Sequence, residues 1–143
     1  MRTLKVVLLM GILAALLSAC TGNSKNDDAS YAEKYKGAVT SITHVQSVDS
    51  SYKSNAGMGR TGDVFITADT DDRTAMLALL KKAFPAIVNA AAGDPEARLE
   101  IRVTSSTGDY SVSPLDLGYS SSLQTLSSYR DFLTAHPELN SAG

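Results

Sequence analysis

A chain of 143 residues has the length of one domain, and a hydrophobic fraction of 43% is enough to build a core. A net charge of −2, from 15 acidic and 13 basic side chains, supplies no basic face for nucleic acid, and a chain with no Trp has little with which to stack bases. The single cysteine excludes an intrachain disulfide and a thiolate zinc site.

The chain opens with two positive charges, Arg2 and Lys5, followed by an uncharged apolar run over residues 6–17. The small residues Ser18 and Ala19 come next, then Cys20. This is the order of a secretory signal peptide. As a helix, residues 6–19 would rise about 21 Å, well short of the roughly 30 Å hydrocarbon core of a bilayer, so export rather than spanning is predicted. The tetrad Leu17-Ser18-Ala19-Cys20 resembles the lipobox of bacterial lipoproteins, and the resemblance covers residues 1–20 only. It implies a diacylglyceryl thioether on the Cys20 thiol, cleavage after Ala19, and a further acyl chain such as palmitate on the new N-terminus. Two acyl chains hold a protein stably, at about 0.8 kcal/mol per buried methylene. The implied address is outside the cytoplasm, on the cell membrane, or on the outer membrane if the organism is diderm. Thr21 stands where diderm members retained at the inner membrane often carry Asp. Loss of residues 1–19 removes two basic side chains and no acidic ones, which disfavours electrostatic adhesion to anionic lipid.

Residues 20–30 are expected to be a lipidated cysteine and a flexible tether, because residues 21–30 hold no large apolar side chain. A single domain is expected over residues 31–143. Ser30 and Glu33 match a capping box, predicting a short helix over residues 31–36 that ends at Gly37. Residues 39–48 are rich in Val, Ile, Thr and Ser and favour strand. Their apolar positions, Val39, Ile42, Val45 and Val48, recur every third residue, so a bulge is predicted. A glycine-rich connection over residues 54–62 leads to a strand over residues 63–68. Asp69, Asp71 and Asp72 are candidate caps for a helix reaching about residue 92, with Met76, Leu79, Leu80, Ala83, Ile87 and Ala91 inward and a kink at Pro85. Residues 97–105 alternate cleanly and predict a strand. A turn at residues 107–109 and a short return strand over residues 110–113 follow. The last helix is predicted over residues 122–135, carrying Leu123, Leu126, Tyr129, Phe132 and Leu133 inward and stopped by His136-Pro137.

The order β-β-α-β-β-α predicts an α+β two-layer sandwich: an antiparallel four-stranded sheet with both helices on one face. The other face would then lie open, holding Phe65, Thr67, Glu100, Arg102, Thr104, Ser111 and Ser113. Phe65 and Arg102 are the candidate centre of a partner-binding patch, since aromatics and Arg are enriched at binding hot spots.

No chemical motif survives its context. Gly57-Met58-Gly59-Arg60-Thr61-Gly62 spells a dinucleotide fingerprint but precedes a strand rather than opening a helix, so no nucleotide is expected. Ser50-Ser51-Tyr52-Lys53 contains S-x-x-K without its companion elements. Counted from Asp69, the calcium-loop positions six and twelve are Thr74 and Leu80, not Gly and Glu. His44 and His136 stand apart in sequence, with no metalloprotease motif around them. The expected function is a lipid-anchored binding module for a protein or envelope partner, attached to the membrane through Cys20, with no cofactor, no metal, no catalysis and no nucleic acid. An accessory subunit of an envelope complex is the alternative, ahead of a small hydrolase of envelope material. Replacing Cys20 by Ala is expected to abolish labelling by an alkyne fatty acid in cells and to leave the unprocessed precursor accumulating. Undiminished labelling would remove the lipoprotein assignment.

Overall fold

The computed structural model describes residues 23–55, 59–93 and 96–140. Helix α1 spans Asn23–Val39, strand β1 Val45–Asn55, β2 Gly59–Ala68, helix α2 Arg73–Ala90, β3 Ala97–Thr104 and β4 Ser111–Val112. A 3₁₀ turn at Pro114–Leu117 then leads to α3 at Leu126–Ala135 and a one-turn α4 at Pro137–Asn140. The fold is α+β around a four-stranded mixed sheet in the order β1-β2-β3-β4.

The expected all-antiparallel sheet is corrected. The two hairpin pairs, β1 with β2 and β3 with β4, are antiparallel, but β2 and β3 run parallel, Arg60 opposite Ala97 through Thr67 opposite Thr104. Helix α2 carries the chain back along the strand it has just left, so the next strand starts at the same end, and parallel pairing follows from a helical crossover.

Alternation along the strands builds the core. Val64, Ile66 and Ala68 of β2 and Ala97, Leu99, Ile101 and Val103 of β3 are buried, with Val112 of β4 beside them. Met76, Leu79, Leu80, Ala83, Phe84, Ile87 and Val88 of α2 join the same cluster, as do Tyr35 and Val39 of α1 and Leu126, Tyr129 and Leu133 of α3. Asp72 caps α2, its side chain accepting from the Thr74 N–H at 3.0 Å, and the helix continues unbroken through the buried Pro85. Tyr129 is fully covered, and its hydroxyl donates to the Leu99 carbonyl at 3.0 Å. Burial pushes that hydroxyl's pKa above its ordinary value, so it stays protonated and keeps donating.

Several expected boundaries move. Helix α1 begins at Asn23 rather than residue 31, so residues expected in the tether lie in its first half, and it passes through Gly37 to Val39. It is held from outside itself: the Asp28 carboxylate accepts from the Ser54 hydroxyl at 2.7 Å and from its N–H at 3.2 Å, and Tyr31 packs on Tyr52 with ring centroids 4.9 Å apart. Residues 39–48 are not one strand; Val39 ends α1 and β1 starts at Val45, with the expected irregularity between Val45 and Ser47. Residues 54–62 are not all connection, because β1 runs to Asn55 and β2 starts at Gly59. Helix α3 starts at Leu126, where Thr125 caps it, which leaves Leu123 outside the helix and 58% exposed.

Two glycines respond oppositely to a methyl group. Gly37 sits inside α1, and a Cβ there would meet nothing within 4 Å. Gly62 lies opposite Tyr52, and its Cβ would fall 2.9 Å from Leu99 Cδ1 and 3.1 Å from the Ser51 carbonyl oxygen. Gly37→Ala is expected to stabilise by about 0.4–1 kcal/mol, and Gly62→Ala to destabilise by about 1–3 kcal/mol. Urea unfolding of the two variants checks both signs.

Candidate functional site

The side chains that alternate away from the core form rows across the sheet. One row is Asp49, Phe65 and Arg102, the next Ser51, Asp63 and Glu100, and beyond it Lys53, Thr61 and Arg98. On the other side lie Ser47, Thr67, Thr104 and Ser111. These residues are half-buried or exposed, in contrast to their buried neighbours in sequence on β2 and β3.

Phe65 and Arg102, singled out from the sequence, are direct cross-strand partners. The guanidinium lies over the ring, 5.6 Å from its centroid, within cation–π range. Arg102 also donates to Glu100, two residues away on the same face. The Ser51 hydroxyl donates to Asp63 at 2.8 Å. A shallow depression beside these residues is lined by Thr61, Asp63, Arg98, Glu100 and Gln124. The result is a flat, polar surface with one half-exposed aromatic at its middle, flanked by acidic groups and a cation. Its chemistry suits contact with a macromolecule better than enclosure of a small molecule.

The acidic run at the head of α2 has structural work. Asp71 accepts from the Ser106 hydroxyl at 2.8 Å, the Thr107 N–H at 3.0 Å and the Thr107 hydroxyl at 3.1 Å. Asp72 is the helix cap. Arg73 donates to Asp116 at 2.6 Å, and Asp116 closes its own 3₁₀ turn by accepting from the Ser113 N–H at 2.9 Å. Three consecutive residues thus fix the β3–β4 turn, the helix start and the segment after β4. Asp69 pairs with His44, Nδ1 to Oδ1 at 2.8 Å, and the Asp69 N–H donates to the His44 carbonyl at 3.0 Å. His44 adopts the left-handed conformation, φ 72°, just before β1 rather than within a strand. His136 caps the end of α3 and its Nδ1 lies 3.0 Å from Glu138 Oε1. Sequence reasoning missed the pairings of His44, Asp71 and Arg73 because their partners lie 25 to 43 residues away; the lone signal was the density of Asp between residues 69 and 72.

The remaining motifs separate in space. Ser50 and Lys53 differ in parity on β1, so their side chains leave opposite faces of the sheet. Gly59 and Gly62 lie within β2, with no helix following the motif. Among the described residues, no group of three or more His, Cys, Asp or Glu side chains is placed to hold a metal ion. Leu17, Ser18, Ala19 and Cys20 lie outside the described residues. No protein-family model, no curated protein and no solved structure matches the chain.

The Thr107 N–H, chiefly, and the Ser106 hydroxyl hold the Asp71 carboxyl below its ordinary value of 3.8. A depressed folded-state value means that the contribution is whole above 3.8 and is lost as pH falls through the lower value of the folded state. Asp71→Asn, which keeps the shape but not the charge, is expected to flatten the acid limb of the stability profile and to speed hydrogen exchange at the Thr107 amide. A variant with the wild-type acid limb would remove Asp71 from that role.

Proposed function

We propose that the chain is a lipid-anchored envelope lipoprotein that acts as a binding module outside the cytoplasm, offering the polar face of its sheet to a protein partner. The anchor rests on the lipobox at residues 17–20 and the signal-like segment before it. The lipid on Cys20 ties the domain to the cell membrane, or to the outer membrane of a diderm organism. No helix among the described residues is long and apolar enough to cross a membrane.

The observation that carries the binding role is the half-exposed Phe65 with Arg102 stacked on it, central on a sheet face otherwise lined by charged and hydroxyl groups. A rigid aromatic held by a guanidinium is already ordered before a partner arrives, which lowers the entropy cost of contact. The function also takes the domain as two layers, with the helices covering one face of the sheet. That layout is supported by the burial alternation, in which Val64, Ile66, Leu99, Ile101 and Val103 join the helices in one cluster while Phe65, Glu100 and Arg102 stay outside it. Binding of this kind uses no cofactor, nucleotide or nucleic acid, and no catalytic step.

A second role, as an accessory subunit of an envelope complex, is favoured by Leu115 and Leu123, which are 57% and 58% exposed in the C-terminal third. An obligate subunit commonly leaves such side chains for its partner to cover.

The test is crosslinking of the full chain in intact cells. Replacing Phe65 and Arg102 together by Ala is expected to preserve the circular dichroism spectrum and to abolish the crosslinked species. Phe65→Ala alone is expected to weaken the contact by about 2 kcal/mol, roughly thirtyfold. Crosslinking at the wild-type level in the double variant would exclude this face, and loss on replacing Leu115 and Leu123 instead would favour the accessory subunit.

A further inference from the structure

Between the turn that leads from α1 into β1 and the flank of α2 lies a cleft of about 240 Å³, lined by Thr43, His44, Ala78, Leu79 and Lys82. That is below the roughly 300–1,000 Å³ of a drug-sized pocket, so the cleft suits a small molecule. It shares no residue with the Phe65–Arg102 face.

The turn side of the cleft is fixed. His44 takes the left-handed conformation, φ 72°, which costs a residue that has a Cβ. Asp69 fastens it twice, through the ring at 2.8 Å and through the main chain at 3.0 Å. A strained residue held at two points marks a position kept for what its side chain offers. A carboxylate only accepts, so in the neutral ring Nδ1 carries the hydrogen that bonds Asp69, and Nε2 is left as an acceptor.

The helix side supplies different chemistry. Ala78 and Lys82 stand one turn apart on the same flank of α2, both exposed, with the buried Leu79 beside them. Lys82 enters no ion pair among the described residues. The small side chain of Ala78 leaves the space between Lys82 and the turn open. A ligand then needs a carboxylate for the Lys82 ammonium, a hydroxyl to donate to His44 Nε2, and a short apolar group to lie against Ala78 and Leu79. The charge of Asp69 on the far side of the imidazole favours a monoanion over the dianion of a phosphate monoester. A 2-hydroxy acid carries carboxylate, hydroxyl and alkyl group on one carbon.

We propose that this cleft binds a small 2-hydroxy acid, with its carboxylate on Lys82, its hydroxyl on His44 Nε2 and its alkyl group over Ala78 and Leu79. Asp69 is the positioning residue, because it sets which ring nitrogen of His44 meets the ligand. The site is independent of the lipid anchor and of the partner-binding face, so it stands or falls apart from them.

Titration of the full chain in detergent with 2-hydroxy-4-methylpentanoate, followed by NMR of the His44 ring and the Ala78 and Lys82 amides, tests the site. Saturable shifts at all three are expected. 4-Methylpentanoate, which lacks the hydroxyl, is expected to bind about threefold more weakly or worse, and 2-hydroxy-4-methylpentanamide, which lacks the charge, about tenfold more weakly or worse. Inorganic phosphate is expected to bind more weakly than the hydroxy acid. Lys82→Gln removes the cation and Ala78→Leu fills the cleft. Each is expected to weaken binding by about tenfold or more with an unchanged circular dichroism spectrum, since both positions are exposed on a helix. His44→Asn tolerates the left-handed backbone and is expected to bind the acids with and without the hydroxyl alike. Should that variant fail to fold, the Lys82 and Ala78 variants still decide. No saturable shift, wild-type affinity in Lys82→Gln or Ala78→Leu, or equal affinity of the wild type for the acid without the hydroxyl would each overturn the site.

Discussion

Helix α2 has 18 residues and rises about 27 Å, while β2 has ten residues and extends about 33 Å. One pass of the helix therefore returns the chain to the end of the sheet from which β2 set out. The next strand starts beside the beginning of β2, and Arg60 comes to face Ala97. The register matters as much as the direction. It aligns Val64 with Ile101 and Ile66 with Val103, so that the apolar positions of both central strands fall on the same side. A slip of β3 by one residue would send Arg102 inward and Ile101 out to water. The two outer strands add to this pair by short connections, where antiparallel pairing is the natural outcome.

Once the central pair is fixed, the two faces acquire different chemistry. The side chains of one face join the aliphatic side chains of α2 in a single buried cluster, together with aromatic contacts in two groups. Tyr31 and Tyr35 meet Tyr52 in one, and Phe84, Tyr119, Phe132 and Tyr129 meet in the other. The other face keeps Asp49, Asp63, Glu100 and Arg102 in contact with solvent, where their charges are least costly. Phe65 is the exception to that polarity. Its ring keeps part of its area exposed, and the Arg102 guanidinium lies over it.

The sequence carried local periodicity faithfully and long-range pairing poorly. Leu99, Ile101 and Val103 alternate without interruption, and β3 lies where that alternation puts it. Val39, Ile42, Val45 and Val48 were harder, because their spacing of three belongs to neither helix nor strand. It marks a turn instead. The Ile42 N–H donates to the Val39 carbonyl and the Val45 N–H to that of Ile42, each a three-residue step that hands the chain from α1 to β1. Helix α1 was underestimated for a different reason. Its first half is polar and would fray alone, but Asp28 is tied to Ser54, 26 residues away, a contact no local pattern can reveal. Parallel pairing of β2 with β3 is likewise a property of the crossover and not of either strand. Of the candidate site, the identity of Phe65 and Arg102 was legible from alternation, whereas their direct opposition depended on that parallel register.

The early start of α1 bears on how an anchored domain would sit. Two residues separate Cys20 from Asn23, and fully extended chain reaches at most about 11 Å over those three steps. With lipid on Cys20, as proposed, the N-terminal end of α1 would stay close to the membrane surface rather than float on a ten-residue tether. The bond from Asp28 to Ser54 holds that end of the helix beside the end of β1. An anchored domain would then be oriented at the bilayer by a folded contact rather than by a flexible chain, with the end of the sheet where β1 finishes and β2 begins nearest the membrane.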